Sequence, residues 1–371
     1  SAVALSGMDN ATDHFSPAIE SKMPEFLLLL WLGKPLWTWL AFLLIVVLLL
    51  ALDLGVLHKT AHEVNVKESM VTCAFYTTLG LLFTIAIYFL YANQPAEGMT
   101  DKALQIADDG KRGLQAAQLY LTGYLVELSL SMDNVFVIAL IFNFFRIPQR
   151  YQHRILFWGI LGVILFRAIL IGVGAVLIAK FHWILLVFGL FLLFAGIKML
   201  RAGEGHGSDF NDNPLLRFIR RHFPVTHDLH GERFFIRQRD PKTNKLITYM
   251  TPAFVALVMV EVADLVFAVD SVPAIFAITP DPYIVYTSNI FAILGLRALY
   301  FTLAAMVNRF AYLKYALALI LIFIGIKILL AEGVGLKLPN WASLVATVGL
   351  LGGGIGYSLY RTRQKPADTA G

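Results

Sequence analysis

The chain has 371 residues, of which 58% are hydrophobic and only 15% charged. A soluble protein of this size carries about a quarter charged residues, so composition excludes that class and indicates a polytopic helical membrane protein. The formal net charge of +5 marks loops on the cytoplasmic side of such a protein rather than a nucleic-acid partner.

Residues 1–35 form a mostly polar segment with Pro17, Pro24 and Pro35. It lacks the basic start and early apolar core of a signal peptide. Within it, Glu25 to Trp31 reads as a short interfacial helix. Apolar runs long enough to cross a bilayer, roughly 20 residues each, then predict nine spans. They fall at 36–56, 70–91, 114–145, 153–179, 182–201, 250–279, 284–306, 311–331 and 341–360. The one cysteine, Cys73, lies inside the second run. It excludes an intrachain disulfide framework and a cysteine metal cluster, and reads as a small buried residue.

Between the fifth and sixth spans lies a long polar loop, 202–249. Its Arg233-Phe-Phe-Ile-Arg-Gln238 and Lys245-Leu-Ile-Thr248 stretches have the pattern of a small β-hairpin. The loop holds His206, His222, His227 and His230. His227-Asp-Leu-His230 has a loose metal-ligand spacing, although solvated loop histidines are the plainer reading. Residues 361–371 are a short tail. Nineteen Lys and Arg residues flank the face of the 202–249 loop and seven flank the other. The basic excess places that loop and the C-terminus in the cytoplasm and the N-terminus outside.

The chain repeats itself. Asp133-Asn-Val-Phe136 matches Asp264-Leu-Val-Phe267, Leu165-Phe-Arg167-Ala168 matches Gly295-Leu-Arg297-Ala298, and Gly196-Ile-Lys198 matches Gly325-Ile-Lys327. The intervals between matches agree to within one residue. Each copy holds three spans, an odd number, so the second enters the membrane from the opposite face. The predicted fold is an all-α polytopic membrane protein of about nine transmembrane helices containing two inverted three-helix repeats, 114–201 and 250–331. Spans 36–91 and 341–360 are then peripheral. Transporters built this way place their site at mid-depth between the repeats.

The chemistry concentrates in Glu261-Val-Ala-Asp264-Leu-Val-Phe-Ala-Val-Asp270-Ser271-Val-Pro273 and in Glu127-Leu-Ser-Leu-Ser131-Met-Asp133-Asn134. Ionisable residues within spans mark functional sites by default. At about 1.5 Å rise per residue, Asp133 and Asp264 fall at mid-depth. Glu127 and Asp270 fall roughly 9 Å outward and Glu261 roughly 4.5 Å inward. Glu261 has no counterpart in the first copy, where Leu130 stands. It is therefore the acid expected to meet a cytoplasmic ion first.

Clustered acids repel one another, and a divalent cation or bound protons would relieve the repulsion. Oxygen-only ligands suit hard cations such as Mn²⁺, Mg²⁺ and Ca²⁺. Ser131, Asn134 and Ser271 add neutral oxygens, and Asn289 reads equally as helix glue or site contact. Pro273 frees the Val269 carbonyl and predicts a break in the sixth span. Asp53 reads as a helix-end acid or a vestibule residue. Arg167 and Arg297 pair with acids in the plainer reading and act in the mechanism in the sharper one. Two arginines cannot neutralise five carboxylates.

With these motifs, and with Ser288-Asn-Ile-Phe-Ala-Ile-Leu-Gly-Leu-Arg-Ala298 and Phe323-Ile-Gly-Ile-Lys327, the chain resembles the TerC/Alx family over roughly residues 35–360. That family is similar to the larger group containing the lysine exporters. The resemblance implies a multi-pass protein of the inner (plasma) membrane that exports manganese, with Glu127, Asp133, Glu261, Asp264 and Asp270 along the ion path. Some members are linked to tellurite resistance. The long polar N-terminus departs from the short start expected of the family.

The resulting expectation is a secondary transporter, not an enzyme. Its partners would be the lipid bilayer, Mn²⁺ or other divalent cations, and protons taken in exchange, with no nucleic acid. An intramembrane aspartyl protease would require Gly-x-Gly-Asp, which is missing. The remaining alternative is a membrane scaffold or partner protein with a structural metal site or an indirect role in tellurite resistance.

Overall fold

The computed structural model describes residues 25–52, 66–93, 112–201 except 182, 214–239 except 227, 230 and 232, 246–304, and 313–363 except 337. The segment read as an interfacial helix is only partly helical. Helix α1 (Glu25–Leu28) is a single turn, followed by a two-stranded hairpin of β1 (Leu30–Trp31) and β2 (Lys34–Pro35). Leu32 and Gly33 turn the hairpin with φ of 51° and 81°. Positive φ at both central residues matches the twist of a two-residue connection.

Helix α2 (Leu36–Leu52) follows directly, apolar on all sides. Then come α3 (Val66–Asn93), α4 (Arg112–Phe144), α5 (Gln149–Lys180) and α6 (Ile184–Arg201). Residues 202–249 contain α7 (Pro214–His222) and an antiparallel pair, β3 (Phe235–Arg239) with β4 (Leu246–Met250). The chain ends in α8 (Pro252–Ile278), α9 (Pro282–Ala304), α10 (Leu313–Gly333) and α11 (Asn340–Arg363). Among the described residues, stretches within α3, α5, α6, α8 and α10 are long and apolar enough to cross a membrane.

Sequence explains where several of these helices start and stop. Pro252 and Pro282 stand at first helical positions, where a missing N–H is harmless. Ahead of Pro282, the Asp281 carboxylate accepts from the backbone N–H groups of Tyr283 and Ile284 at 2.8 and 3.2 Å, a side-chain N-cap. Helix α10 closes at Gly335, whose φ is 76°. There the Leu336 N–H reaches the Leu330 carbonyl, and the left-handed glycine ends the helix. The expected break at Pro273 does not occur, since α8 runs unbroken through it. Proline is tolerated in a membrane helix whose neighbours support the backbone.

The bundle is apolar outside and polar within. On α5, Leu165 and Ile169 are exposed while Arg167 is buried. Two apolar cores stack along the helices. One contains Val126 on α4 and Ala268 and Val272 on α8. The other contains Val135 on α4 and Met259 and Val260 on α8, and α7 docks on it through Leu216 and Ile219. Between them, Asn134 of α4 bonds Asp264 of α8 across the gap.

Helices α6 and α10 cross on glycines. A Cβ at Gly325 would lie 2.8 Å from the Gly189 carbonyl and the Leu193 nitrogen. One at Gly196 would lie 2.8 Å from the Ala318 carbonyl. Small residues permit such backbone approach where lipid offers no hydrophobic drive between helices. Gly325→Val should therefore lower stability by roughly 1–3 kcal/mol, the usual penalty of overpacking. Gly352→Ala, on α11 with open space beside it, should leave it unchanged. Thermal unfolding of the detergent-purified protein checks both.

Candidate functional site

The polar layer is organised by Arg167 of α5, which is 1% exposed. Its Nη1 donates to Glu127 Oε1 of α4 at 2.5 Å, to Ser271 Oγ of α8 at 3.0 Å and to Asn289 Oδ1 of α9 at 3.0 Å. Its Nη2 and Nε donate to Asp264 Oδ1 and Oδ2 of α8 at 3.3 and 3.4 Å. Asn134 Nδ2 donates to Asp264 Oδ1 at 3.4 Å, and Ser131 Oγ to Glu127 Oε1 at 3.3 Å. One guanidinium thus joins four helices. A side chain with five donors in a planar fork suits this role, where a lysine ammonium would not.

Helical geometry supplies the acceptors. Ser131 stands one turn after Glu127, so both lie on one face of α4. Asp264 and Ser271 are seven residues apart on α8, about two turns, and so present oxygens on one side. Helices α4 and α8 run antiparallel, since Gly123 approaches Ile275 while Asn134 meets Asp264. Helices α5 and α8 run parallel, with Gly162 beside Glu261 and Gly174 beside Phe276.

Glu261 lies apart from this network. Both of its carboxylate oxygens are buried without a hydrogen-bond partner among the described residues, as is Glu127 Oε2. The carboxylate rests on α5 at Gly162, where an added Cβ would collide with it, and near Gly159, where an added Cβ would lie 3.6 Å from Oε1. These two glycines form a shelf that a helix-period reading of α5 does not reveal.

Of the residues expected at the site, Glu127, Ser131, Asn134, Arg167, Asp264, Ser271 and Asn289 share one hydrogen-bonded network. Glu261 adjoins it one turn along α8. Asp133, Asp270 and Arg297 stand on described helices, but their side chains lie outside the described residues, as does all of Asp53. Among the described residues, no three His, Cys, Asp or Glu side chains form a metal-holding group. Of the loop histidines, His206, His227 and His230 lie outside the described residues. His222 packs its ring on Phe218 at 4.3 Å.

Asp281 is a buried acid missed in the sequence. Besides capping α9 it accepts from the Tyr91 hydroxyl at 2.6 Å, and the Lys34 ammonium lies 3.5 Å from the Tyr91 ring centroid. Burial pushes the Asp281 carboxyl up, opposed by Lys34, the Tyr91 hydroxyl and the two backbone donors. Pro280-Asp281-Pro282 carried the signal, a capping residue followed by proline at the first helical position.

Comparison with known proteins agrees with this architecture. Residues 113–366 match the family described as Integral membrane protein TerC family. The chain belongs to the TerC family. An uncharacterized membrane protein of Rickettsia bellii is 45% identical over 324 residues, 87% of this chain and 97% of its own length. An uncharacterized membrane protein of Myxococcus xanthus is 42% identical over 336 residues, 90% of this chain and 95% of its own length. A protein of Escherichia coli K12 that carries the provisional name "membrane-bound redox modulator Alx" is 42% identical over 320 residues, 86% of this chain and 92% of its own length. No solved structure matches the chain. As a TerC protein it is an integral, multi-pass membrane protein, and the bilayer is its solvent.

The two classes of acid should respond differently to substitution. Glu127→Leu leaves the Arg167 guanidinium without its shortest partner and should destabilise the metal-free protein by roughly 3–5 kcal/mol, as broken buried pairs do. Glu261→Gln removes a carboxylate that has no donor among the described residues and should leave stability unchanged or raised. Thermal unfolding in a chelator-treated detergent preparation compares the two.

Proposed function

We propose that this TerC protein is a secondary transporter that exports divalent metal ions, Mn²⁺ foremost, through the carboxylate layer in exchange for protons. The observation that carries the reading is the set of buried carboxylate oxygens on Glu127 and Glu261 that have no partner among the described residues, within one polar layer between two apolar cores. Buried polar atoms otherwise find partners. Glu127, Glu261 and Asp264 against the one guanidinium of Arg167 carry a formal charge of −2 when all are ionised, which a divalent cation balances. The donors are all oxygen, the ligand set of hard cations. Asp133 and Asp270 complete the proposed ion path, with Ser131, Asn134, Ser271 and Asn289 as neutral donors.

We read the fold as nine spans holding two inverted repeats. Helix α4 packs on α9 as α8 packs on α5, the exchange that a two-fold axis requires. The α6–α10 crossing supports it, because Gly189 and Ala318 are equivalent in the repeat, as are Gly196 and Gly325. Gly189 meets Gly325, and Gly196 meets Ala318. The orientation read from the basic residues puts Glu261 on the cytoplasmic side of Asp264, where an outbound ion arrives first. We place the protein in the inner (plasma) membrane.

One observation favours a second reading. The Arg167 network is what a scaffold would use to clamp four helices. The relative's name points to redox, but a single cysteine cannot form an intrachain dithiol couple.

Purified protein in liposomes decides between transport and scaffold. The expected result is saturable Mn²⁺ flux with opposite proton movement, followed by a pH probe and scanned against Ca²⁺, Mg²⁺ and Zn²⁺. Asp264→Asn and Asp133→Asn should each abolish it, and cells carrying either variant should accumulate manganese like cells lacking the protein. If both variants still limit accumulation, the site assignment is wrong.

A further inference from the structure

The guanidinium of Arg167 stands where the oxygens of the site converge. Glu127, Ser271 and Asn289 each give an oxygen to Nη1, at 2.5, 3.0 and 3.0 Å. Both oxygens of Asp264 face Nη2 and Nε at 3.3 and 3.4 Å. That makes five oxygens on α4, α8 and α9 directed at one cation carried by α5. Hard divalent ions take an all-oxygen shell of this kind. The carboxylates thus address a positive charge that belongs to the chain itself.

The seat is uneven. The bond to Glu127 is short, but those to Asp264 exceed the about 2.7–2.9 Å of well-formed charge-assisted bonds. The fork reaches both Asp264 oxygens, but more loosely than it holds Glu127. Among the described residues, Glu127 Oε2 and Asn289 Nδ2 have no hydrogen-bond partner. A guanidinium serving only as a fixed staple would be expected to close on the second carboxylate. One that shares its acceptors with an incoming ion need not.

We propose that Arg167 is a tethered competitor of the transported ion. In the ion-free protein its guanidinium neutralises Glu127 and Asp264, and an entering divalent ion displaces it from them. This rests on the transporter reading and adds a role to it. Bare carboxylates facing apolar surroundings are costly, so an empty site cannot readily pass through the membrane interior. With Arg167 seated on Glu127 and Asp264 and the exchanged protons on the remaining charge, the metal-free carrier can return. The tether supplies that cation at high effective concentration, which sets how strongly the ion must bind to enter.

The test compares net flux with exchange, using full-length protein in liposomes and Mn²⁺ as the probe. Net flux requires the empty carrier to return, whereas exchange of labelled for unlabelled Mn²⁺ across the membrane does not. Arg167→Gln should lower net flux at least tenfold and leave exchange within about threefold of wild type. Its apparent affinity for Mn²⁺ should tighten on the order of tenfold, as expected when a competitor that fills the site nine-tenths of the time is removed. Arg167→Lys, which keeps a cation, should retain more net flux than Arg167→Gln. Where the glutamine variant does not reconstitute, the lysine variant carries the test through a larger loss of net flux than of exchange.

Parallel loss of net flux and exchange, in a variant reconstituted to the wild-type level, overturns the inference and leaves the transporter reading standing. Unchanged or weakened Mn²⁺ affinity does the same. Wild-type protein that moves no Mn²⁺ in either assay overturns both.

Discussion

A charge inside a membrane must find its partner within the protein, and the Arg167 network is where this constraint acts on the bundle. Glu127 and Asp264 are buried, and α4, α5, α8 and α9 converge to bring acceptors and guanidinium together. The apolar cores on either side have no comparable directionality. Leucine packs against lipid about as well as against leucine, so burial alone does little to fix which helices meet. The polar layer supplies that specificity, and the glycine crossings of α6 with α10 supply close approach elsewhere.

The periphery is fastened by different means. The β1–β2 hairpin is tied to α2 by the Trp39 indole, which donates to the Trp31 carbonyl at 2.9 Å. Trp39, Phe42, Phe83, Tyr283, Tyr286 and Phe291 then form an aromatic seam joining α2 and α3 to α9. Asp281 caps the start of α9 and holds Tyr91 of α3. Asn289, which meets Arg167, sits about two turns further along α9. The far end of the bundle and the polar layer are therefore linked through a single rigid element.

Much of this was legible in the sequence, because the signals were local. Apolar run length locates helices, and acids within such runs mark the layer without any knowledge of packing. The partnering was not legible. Arg167 reads as one of four basic residues within spans. Nothing in its spacing tells that it gathers acceptors 40 to 122 residues away in the chain. The Gly159–Gly162 shelf is equally hidden, since its meaning depends on Glu261 of another helix. Pro273 misled for the same reason. A lost backbone bond predicts a break only when the neighbours fail to support the helix, and here α8 continues through it.

The asymmetry between the copies bears most directly on how the layer could work. A strict two-fold would put equal charge on each side, but Glu261 faces Leu130 in the repeat, and Glu127 has Val258 as its counterpart. The guanidinium takes up Glu127, and among the described residues Glu261 has no donor. The layer is thus compensated at one level and uncompensated about one turn away along α8. On the transporter reading proposed above, an incoming cation would meet Glu261 before it meets Glu127 and Asp264, where the Arg167 charge must first be moved. On that reading, two steps of unequal difficulty follow from Arg167 lying nearer Glu127 and Asp264 than Glu261, and a symmetric site would not impose that order.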